Sequence, residues 1–282
     1  MGTIRRHLEA LWSDPPGRIG LAGLGILVIL GAVSPWLAPH APDALAGPSL
    51  APPGRLHLLG TNGLGQDILS QVLAGCRVSL AVAVSVGVAG TSLGFLAGAA
   101  AGFRPRRLGV FIMRVVDGLM AVPRLPLIIL LAVFLRPRLV NVIGVLVFLS
   151  WPGVARTIRA QVLSLRERDY LRFVRFSGGG FFYVMRCHLW RELLPLLLAK
   201  ATAAAGHAVL AEAGLSFLGL GDPTLKSWGS MIRSGLDYPG ILWTPAWSWW
   251  LLPPSLMVSL ALLSFTLVGY GLDDALKREA AG

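Results

Sequence analysis

The side chains best able to do chemistry in this sequence are ionisable groups inside long apolar stretches. His207 lies in the segment AAAGHAVLAEAG, and Glu212 follows five residues later. Ionisable groups in such surroundings need partners, so each is a candidate functional residue. A neutral imidazole binds soft or borderline metal ions, which makes His207 a candidate metal ligand; the alternative is a hydrogen bond to a neighbouring helix. For Glu212 the two interpretations are a structural hydrogen bond and a position facing a cavity.

Two opposite charges stand close together in a second apolar stretch, FIMRVVDGLMAVP. Arg114 and Asp117 are three residues apart, so on a helix they share one face. This spacing predicts a structural ion pair.

Catalytic patterns are not apparent in the sequence. It contains no G-x-x-x-x-G-K-[ST] loop to cradle the phosphates of a nucleotide, and no evident Ser-His-Asp or Cys-His arrangement. Two cysteines in 282 residues make neither a disulfide framework nor a Cys-based zinc motif. We therefore expect a chain that is not an enzyme and that binds no cofactor itself.

The composition indicates that these groups lie in a membrane. The chain is 55% hydrophobic and 14% charged, whereas soluble domains average about 25% charged residues. Because lipid offers no water to backbone groups, each apolar stretch should be helical. A window of about 20 residues gives six candidate spans, at residues 18–38, 77–103, 110–135, 139–158, 193–220 and 246–271. The predicted fold is an all-α, six-span membrane protein.

Prolines interrupt spans three to five and indicate either packing kinks or gating hinges. They are Pro123, Pro126, Pro152 and Pro195.

The basic residues predict the orientation of the spans. The net charge of +11 is concentrated before span one, between spans two and three, between four and five, and after six. The positive-inside rule places these segments, and both termini, in the cytoplasm. The charge therefore indicates topology and not nucleic-acid binding. His40 and His57 then lie outside and are a weak metal pair, because they are far apart in sequence.

Two connecting segments are too distinctive to be simple linkers. Residues 159–192 read as a basic, aromatic amphipathic helix, a triple-glycine turn and a second short helix. This segment either lies on anionic headgroups or docks a cytoplasmic protein. On the opposite side, residues 221–245 form an elbow that starts with an Asp-Pro turn. Trp228 and Met231 are expected to give this elbow an amphipathic surface at the membrane interface.

Three motifs, together with the 159–192 loop, resemble a known family. LGTNGLGQDILSQVLAGCRVSL, MRVVDGLMAVPRLPL and AGLSFLGLGDPTLKSWGSMI occur in this order. They resemble the second permease subunit of ABC importers for dipeptides, oligopeptides and nickel. The resemblance covers residues 18–276 as one permease domain, with a cytoplasmic segment at 1–17 and a cytoplasmic tail at 277–282. ERDYLRFVRFSGGG is similar to the coupling loop of such permeases, but has large residues where the family has small ones, and Arg191-Glu192 replace a common Pro-Asn.

The resemblance also implies partners and site residues. Residues near 169–185 would seat in a cleft of an ATPase subunit, with Gly178 at the turn. The coupling residues carried over on this basis are Asp169, Tyr170, Arg172, Arg175, Gly178 and Gly179. The implied assembly contains a homologous second permease, two ATPase subunits that bind ATP and magnesium, and an external solute-binding protein, in the lipid of a bacterial-type inner membrane.

The cargo is where the sequence leaves alternatives. GH upstream of AGLSFLGLG, together with SGGG and HL, favours the nickel branch, with nickel bare or chelated; peptides are the alternative. The candidate pathway residues are His207, Glu212, Trp228 and Met231. A secondary transporter is a further alternative, although paired intramembrane acids and inverted repeats are not found. The elbow would roof the pathway and meet the binding protein, or serve as an interfacial anchor.

Overall fold

The computed structural model describes residues 14–103, 106–168, 174 and 180–281. Over these residues the chain is helical, with two isolated β-bridges in the loop that joins the first two long helices. Five helices are long and apolar enough to cross a membrane, and a bent helix pair makes a sixth crossing if it is counted as one span. The predicted all-α architecture with about six spans is confirmed.

The long helices are separated by short helical elements on both sides of the helix Trp190–Phe217. They are α1 (Pro15–Leu37), α2 (Ile68–Phe103), α3 (Arg106–Ala121), α4 (Arg124–Phe134), α5 (Leu139–Arg166), α6 (Phe181–Val184), a π-helical turn (Met185–Leu189), α7 (Trp190–Phe217), α8 (Trp228–Leu236), a 3₁₀ turn (Ile241–Trp243), α9 (Trp247–Trp250) and α10 (Leu252–Ala281).

Helix α2 is the centre of the bundle, because it packs along both α5 and α7. Small residues make these approaches close: a Cβ built on Gly98 would lie 2.5 Å from the carbonyl oxygen of Ala155, and one on Gly87 would lie 2.9 Å from that of Ala201. Close backbone contact of this kind is a main source of association between helices in lipid. Helices α1 and α10 pair with each other and close the other side of α7.

The third predicted span is not one helix. Helices α3 and α4 meet at an angle of 89°. The N-cap of α4 is Pro123, with an extended backbone (ψ 121°), and Pro126 falls in the first turn of α4, where a missing N–H breaks no helical hydrogen bond. Pro152 and Pro195, in contrast, lie inside continuous helices. The helices of spans four and five thus continue through their prolines, whereas at Pro123 the helix has ended.

The bundle has two distinct ends. The elbow end carries the loop 38–67 and the segment from 218 to 246, and the opposite end, here called the coupling end, has the last residues of α2 and α5 and the first residues of α3 and α6. Helix α5 extends eight residues beyond the predicted span, to Arg166, and the elbow begins at Leu218, three residues before its predicted start. The two ends are therefore linked by helices that are longer than the hydrocarbon core requires.

Candidate functional site

His207 lies on an exposed face of α7, next to the packed glycine Gly206. Its Nδ1 atom is 2.7 Å from the carbonyl oxygen of Ala203, four residues earlier, so Nδ1 carries the proton and donates to its own helix. Only Nε2 then remains as a ligand atom. Among the described residues, one group of three ligand-type side chains is close enough to hold a metal. It consists of His40, His57 and Asp67 and does not include His207. Within the described part of the chain, His207 is thus not one of three clustered ligand-type side chains.

Glu212 is buried at 2% exposure near the elbow end of α7. The hydroxyl of Ser216 donates to its Oε1 atom at 2.6 Å, and the hydroxyls of Ser79 and Ser227 face the same carboxyl group. These serines come from α7, α2 and the N-cap of α8. Glu212 is therefore bonded within α7 through Oε1 and lies beside serines of α2 and of the α8 N-cap, while its Oε2 is buried without a hydrogen bond in the described chain.

Trp228 and Met231 do not form an interfacial surface, so that prediction is wrong. Trp228 is fully buried, and its indole N–H donates to the carbonyl oxygen of Val72 at 3.0 Å. The indole fills a space that Gly75 leaves open, since a Cβ there would lie 2.5 Å from the ring. Met231 is 1% exposed in the same cluster, although it also borders a cavity of about 410 Å³ between the loop 38–67 and α8. The amphipathic pattern was real, but its apolar face packs on α2.

The predicted Arg114–Asp117 pair is also wrong in its partner. The carboxylate of Asp117 pairs with the guanidinium of Arg156 on α5 at 2.5 Å. Because α3 packs against α5, Arg156 approaches Asp117 from the facing helix, while Arg114 is exposed one turn away on α3. The ion pair therefore fastens the end of α3 to α5, just before the bend.

His40 and His57, which are far apart in sequence, are neighbours in the loop 38–67. The rings of His40 and His57 have centroids 5.3 Å apart, and the Nδ1 atom of His57 lies 3.0 Å from Oδ1 of buried Asp67. The backbone N–H and the hydroxyl of Ser70 donate to Oδ2 of Asp67 at 2.8 and 2.7 Å. With three donors the carboxylate is well satisfied, and the cluster fastens the loop 38–67 to the start of α2.

The loop conformation that makes this cluster depends on glycine. Gly60 and Gly65 have φ values of +73° and +78°, in the left-handed region. They fold the chain back so that residues ten apart in sequence come into contact. The spacing of His57 and Asp67 around two glycines was the available signal in the sequence.

Asp222 ties the elbow to the neighbouring helix. Its Oδ1 accepts hydrogen bonds from the backbone N–H and hydroxyl of Thr224 at 3.0 and 2.6 Å, which confirms the predicted turn, and Oδ2 accepts from the backbone N–H of Leu139 at 3.1 Å. Partial burial raises the pKa of Asp222. The hydrogen bonds from Thr224 and Leu139 and the charge of Arg138 lower it by more, so the net pKa lies below its ordinary value.

The coupling residues carried over from the family resemblance, Asp169, Tyr170, Arg172, Arg175, Gly178 and Gly179, lie outside the described residues.

Two segments flank these coupling residues: the end of α5 and the stretch from α6 into α7, which we call the coupling arms. Arg168 pairs with Glu192 at 3.5 Å, and Arg166 donates to the carbonyl oxygen of Gly102 at 3.3 Å. Apolar side chains of α5, α6 and α7 form one cluster with Phe95 and Ala99 of α2. Both arms are thus packed onto the central helix.

The bend between α3 and α4 contains a residue that the sequence analysis did not single out. Arg124 is the first residue of α4 and is exposed. It lines a cavity of about 390 Å³ formed by the bend and the middle of α5. A charged residue inside the apolar run AVPRLPLII was the available signal, because intramembrane charge is a functional indicator by default.

Comparisons with known proteins agree with this architecture. The family description "Binding-protein-dependent transport system inner membrane component" matches residues 90–281. A putative peptide transport system permease protein of Brucella suis is 38% identical over 261 residues, covering 92% of this chain and 86% of that relative.

Two further relatives carry more specific names. The di/tripeptide transport system permease protein DppC of Pseudomonas aeruginosa is 35% identical, covering 91% of this chain and 86% of its own. The nickel transport system permease protein NikC of Escherichia coli K12 is 36% identical over 273 residues, covering 95% of each chain. With these matches and a helical membrane architecture, the chain belongs to the family of binding-protein-dependent transport system inner membrane components and is a permease of the ABC-importer type.

Proposed function

We propose that this permease carries dipeptides or oligopeptides. The observation that carries the proposal is the match, along about nine-tenths of the chain, to permeases named for peptide transport in Brucella suis and Pseudomonas aeruginosa. The surroundings of His207 support it, because its Nδ1 is committed to the backbone and, among the described residues, His207 belongs to no group of three His, Cys, Asp or Glu side chains that could hold a metal. Peptide cargo thus replaces nickel as the preferred proposal.

The transport machinery proposed around the chain is that of its family. A second permease completes the pathway, two ATPase subunits hydrolyse ATP, and an external binding protein delivers the cargo. The coupling end, with its arms packed on α2 and α7, is the natural site for the ATPases, and the elbow end for the binding protein. This assignment corresponds to an inner-membrane protein with both termini in the cytoplasm.

The route through the protein is proposed to pass the bend between α3 and α4. Helix backbone that leaves the helical conformation inside a membrane is tolerated where it lines a cavity or is covered by protein. Residues 120–126 are exposed in this chain and border the 390 Å³ cavity. Alternating access then requires that the ATPases move the coupling arms and so reposition α5 against this bend.

Nickel, bare or chelated, is the second candidate cargo. It is favoured by the similarity to the nickel permease of Escherichia coli, which covers 95% of both chains, and by the exposed position of His207, whose Nε2 atom is available. A single imidazole needs further ligands from a chelator or from the second permease.

The two cargoes are separated by transport into proteoliposomes that contain the complete complex. Uptake of a labelled dipeptide is compared with uptake of radioactive nickel, given alone or with histidine as chelator, and His207→Ala is measured in parallel. We expect ATP-dependent dipeptide uptake that His207→Ala leaves within about twofold. Nickel uptake that needs ATP and falls in His207→Ala, without dipeptide uptake, would replace this proposal by the second one.

A further inference from the structure

Arg124 lies near the middle of the membrane. Helix α4 runs from the bend to the elbow end in 11 residues. At 1.5 Å per residue it is about 16 Å long, roughly half of a hydrocarbon core of about 30 Å. Its first residue therefore lies about half-way across. Ser150, which lines the same cavity, gives the same depth, because it is the twelfth residue of α5 counted from that end.

The side chain of Arg124 is on the protein side of α4. The buried residues of α4 are Ile128 and Ala132, which pack against α2 and α5. Arg124 precedes Ile128 by four residues, so all three share one face. Side chains on a helix lean towards its N-terminus, which here is the bend. Arg124 therefore faces the gap between the bend and α5.

The guanidinium of Arg124 has no counter-charge among the described residues. In the part of the chain that the structure describes, Arg124 makes no ion pair and no hydrogen bond, and it is the sole charged residue lining the cavity. The acid nearest in sequence on α3, Asp117, is already paired with Arg156. A guanidinium at this depth is costly unless it contacts water or an anion, so we expect Arg124 to contact one of them.

We propose that Arg124 binds the anionic group of the cargo as it passes the bend, and that this group is the C-terminal carboxylate of a peptide. This inference rests on the peptide-import function proposed above. The planar guanidinium matches a carboxylate with two parallel hydrogen bonds, which a lysine ammonium cannot reproduce. The rest of the lining is mainly apolar, so it accepts different side chains while Arg124 holds the group that all unmodified peptides share.

The test compares a labelled dipeptide with its C-terminal amide in proteoliposomes of the complete complex. Uptake is measured for wild type, Arg124→Gln and Arg124→Lys, with Arg136→Gln as the matched control, because Arg136 is exposed in the loop that follows α4. Each variant is expressed relative to wild type for the same peptide, so that selectivity of the binding protein cancels.

We expect Arg124→Gln to lower uptake of the free acid about tenfold, equivalent to 1.4 kcal/mol, and to leave uptake of the amide within about twofold. Arg124→Lys should be intermediate, and Arg136→Gln should change neither peptide. Equal loss of both peptides in a normally assembled complex would assign Arg124 to an ion pair with the second permease and overturn the proposal. Loss of neither peptide would overturn it as well.

The outcomes also separate this inference from the proposed function. If wild type shows no ATP-dependent uptake of either peptide, the peptide function fails and the Arg124 assignment fails with it. If wild type imports the free acid and Arg124→Gln does the same, the peptide function stands and the Arg124 assignment alone fails.

Discussion

The elbow end and the bend between α3 and α4 differ in burial and in how their polar side chains are bonded. At the elbow end, Trp228, Glu212 and Asp67 are buried and each has hydrogen-bond partners. At the bend, consecutive residues from Met120 to Pro126 are exposed, and a charged side chain lacks a partner in the described chain. In the described chain the first region bonds these three side chains internally, with Oε2 of Glu212 as an unpaired atom, whereas the second becomes complete only with cargo, water or another subunit.

This difference indicates where rigidity and where function lie. Hydrogen bonds between buried groups over-determine the elbow end, so that it holds α2, α7 and α8 as one body. The bend is held by apolar contacts of α3 and α4 and by one exposed ion pair. Four predictions break or sharpen the comparison, and we give them from the largest expected effect to the smallest.

Trp228→Ala should have the largest effect on stability. It removes a buried indole from the space beside Gly75 together with its hydrogen bond to Val72, so the free energy of unfolding should fall by about 3–5 kcal/mol. The measurement is denaturant unfolding of the purified permease in detergent. Trp243→Ala is the control, because Trp243 is 93% exposed and should change stability by less than about 0.5 kcal/mol. Similar losses for both tryptophans would contradict a core role for Trp228.

Gly229→Ala should loosen the contact between α8 and α7. A Cβ at Gly229 would lie 2.1 Å from the carbonyl oxygen of Ala213, so the helices must separate, at a cost of about 1–3 kcal/mol. The same change at Gly118, next to the bend, has open space and should be neutral or stabilising by up to about 1 kcal/mol. Thermal unfolding midpoints of the two variants check the opposite signs. A destabilised Gly118→Ala would show that the bend is packed.

Acid should weaken the tie between the elbow and α5. Because the net pKa of Asp222 is lowered in the folded protein, its ionised form stabilises the fold at any pH above the ordinary value of 3.8. This contribution is lost as the pH falls below that value, through the lowered pKa.

Asp222→Asn should therefore reduce the loss of stability between pH 6 and pH 3, by about 1 kcal/mol or less. Asp237→Asn, which removes an exposed carboxylate from the same end, is the control. Unfolding curves at several pH values give the comparison. An unchanged pH profile in Asp222→Asn would argue against the tie.

The ion pair before the bend should contribute least. Asp117 and Arg156 are 58% and 52% exposed, so solvent screening limits their coupling to about 0.2–1 kcal/mol. A double-mutant cycle with Asp117→Asn and Arg156→Gln measures it through unfolding in detergent. A coupling above about 2 kcal/mol would show that the bend is as firmly held as the elbow.

The number and type of the helices could be predicted from the sequence, because lipid leaves an apolar segment no choice but to satisfy its own backbone. Counting prolines could not separate the break at Pro123 from the continuous helices through Pro152 and Pro195. The distinction lies in Pro126, three residues later, which suits the first turn of a new helix. A pair of prolines at this spacing is a stronger signal than either one alone.

The site residues were harder to predict, since their partners are distant in sequence. Trp228 is a core residue because of Val72 and Gly75, about 150 residues earlier, and Asp117 pairs across to Arg156. An amphipathic pattern shows that a helix has an apolar face but not what covers it. Hydropathy identified the apolar helices and said nothing of their neighbours.

The π-helical turn at Met185–Leu189 determines where the chain tolerates the deletion of one residue. Such a turn holds one residue more than an ordinary α-helical turn. Removing one residue there restores regular α-helix and keeps α7 in register with α2. Removing one residue between Trp190 and Phe217 instead rotates every later side chain by about 100° around the helix axis. The π-helical turn thus contains one residue that can be removed without changing which face of α7 packs against α2.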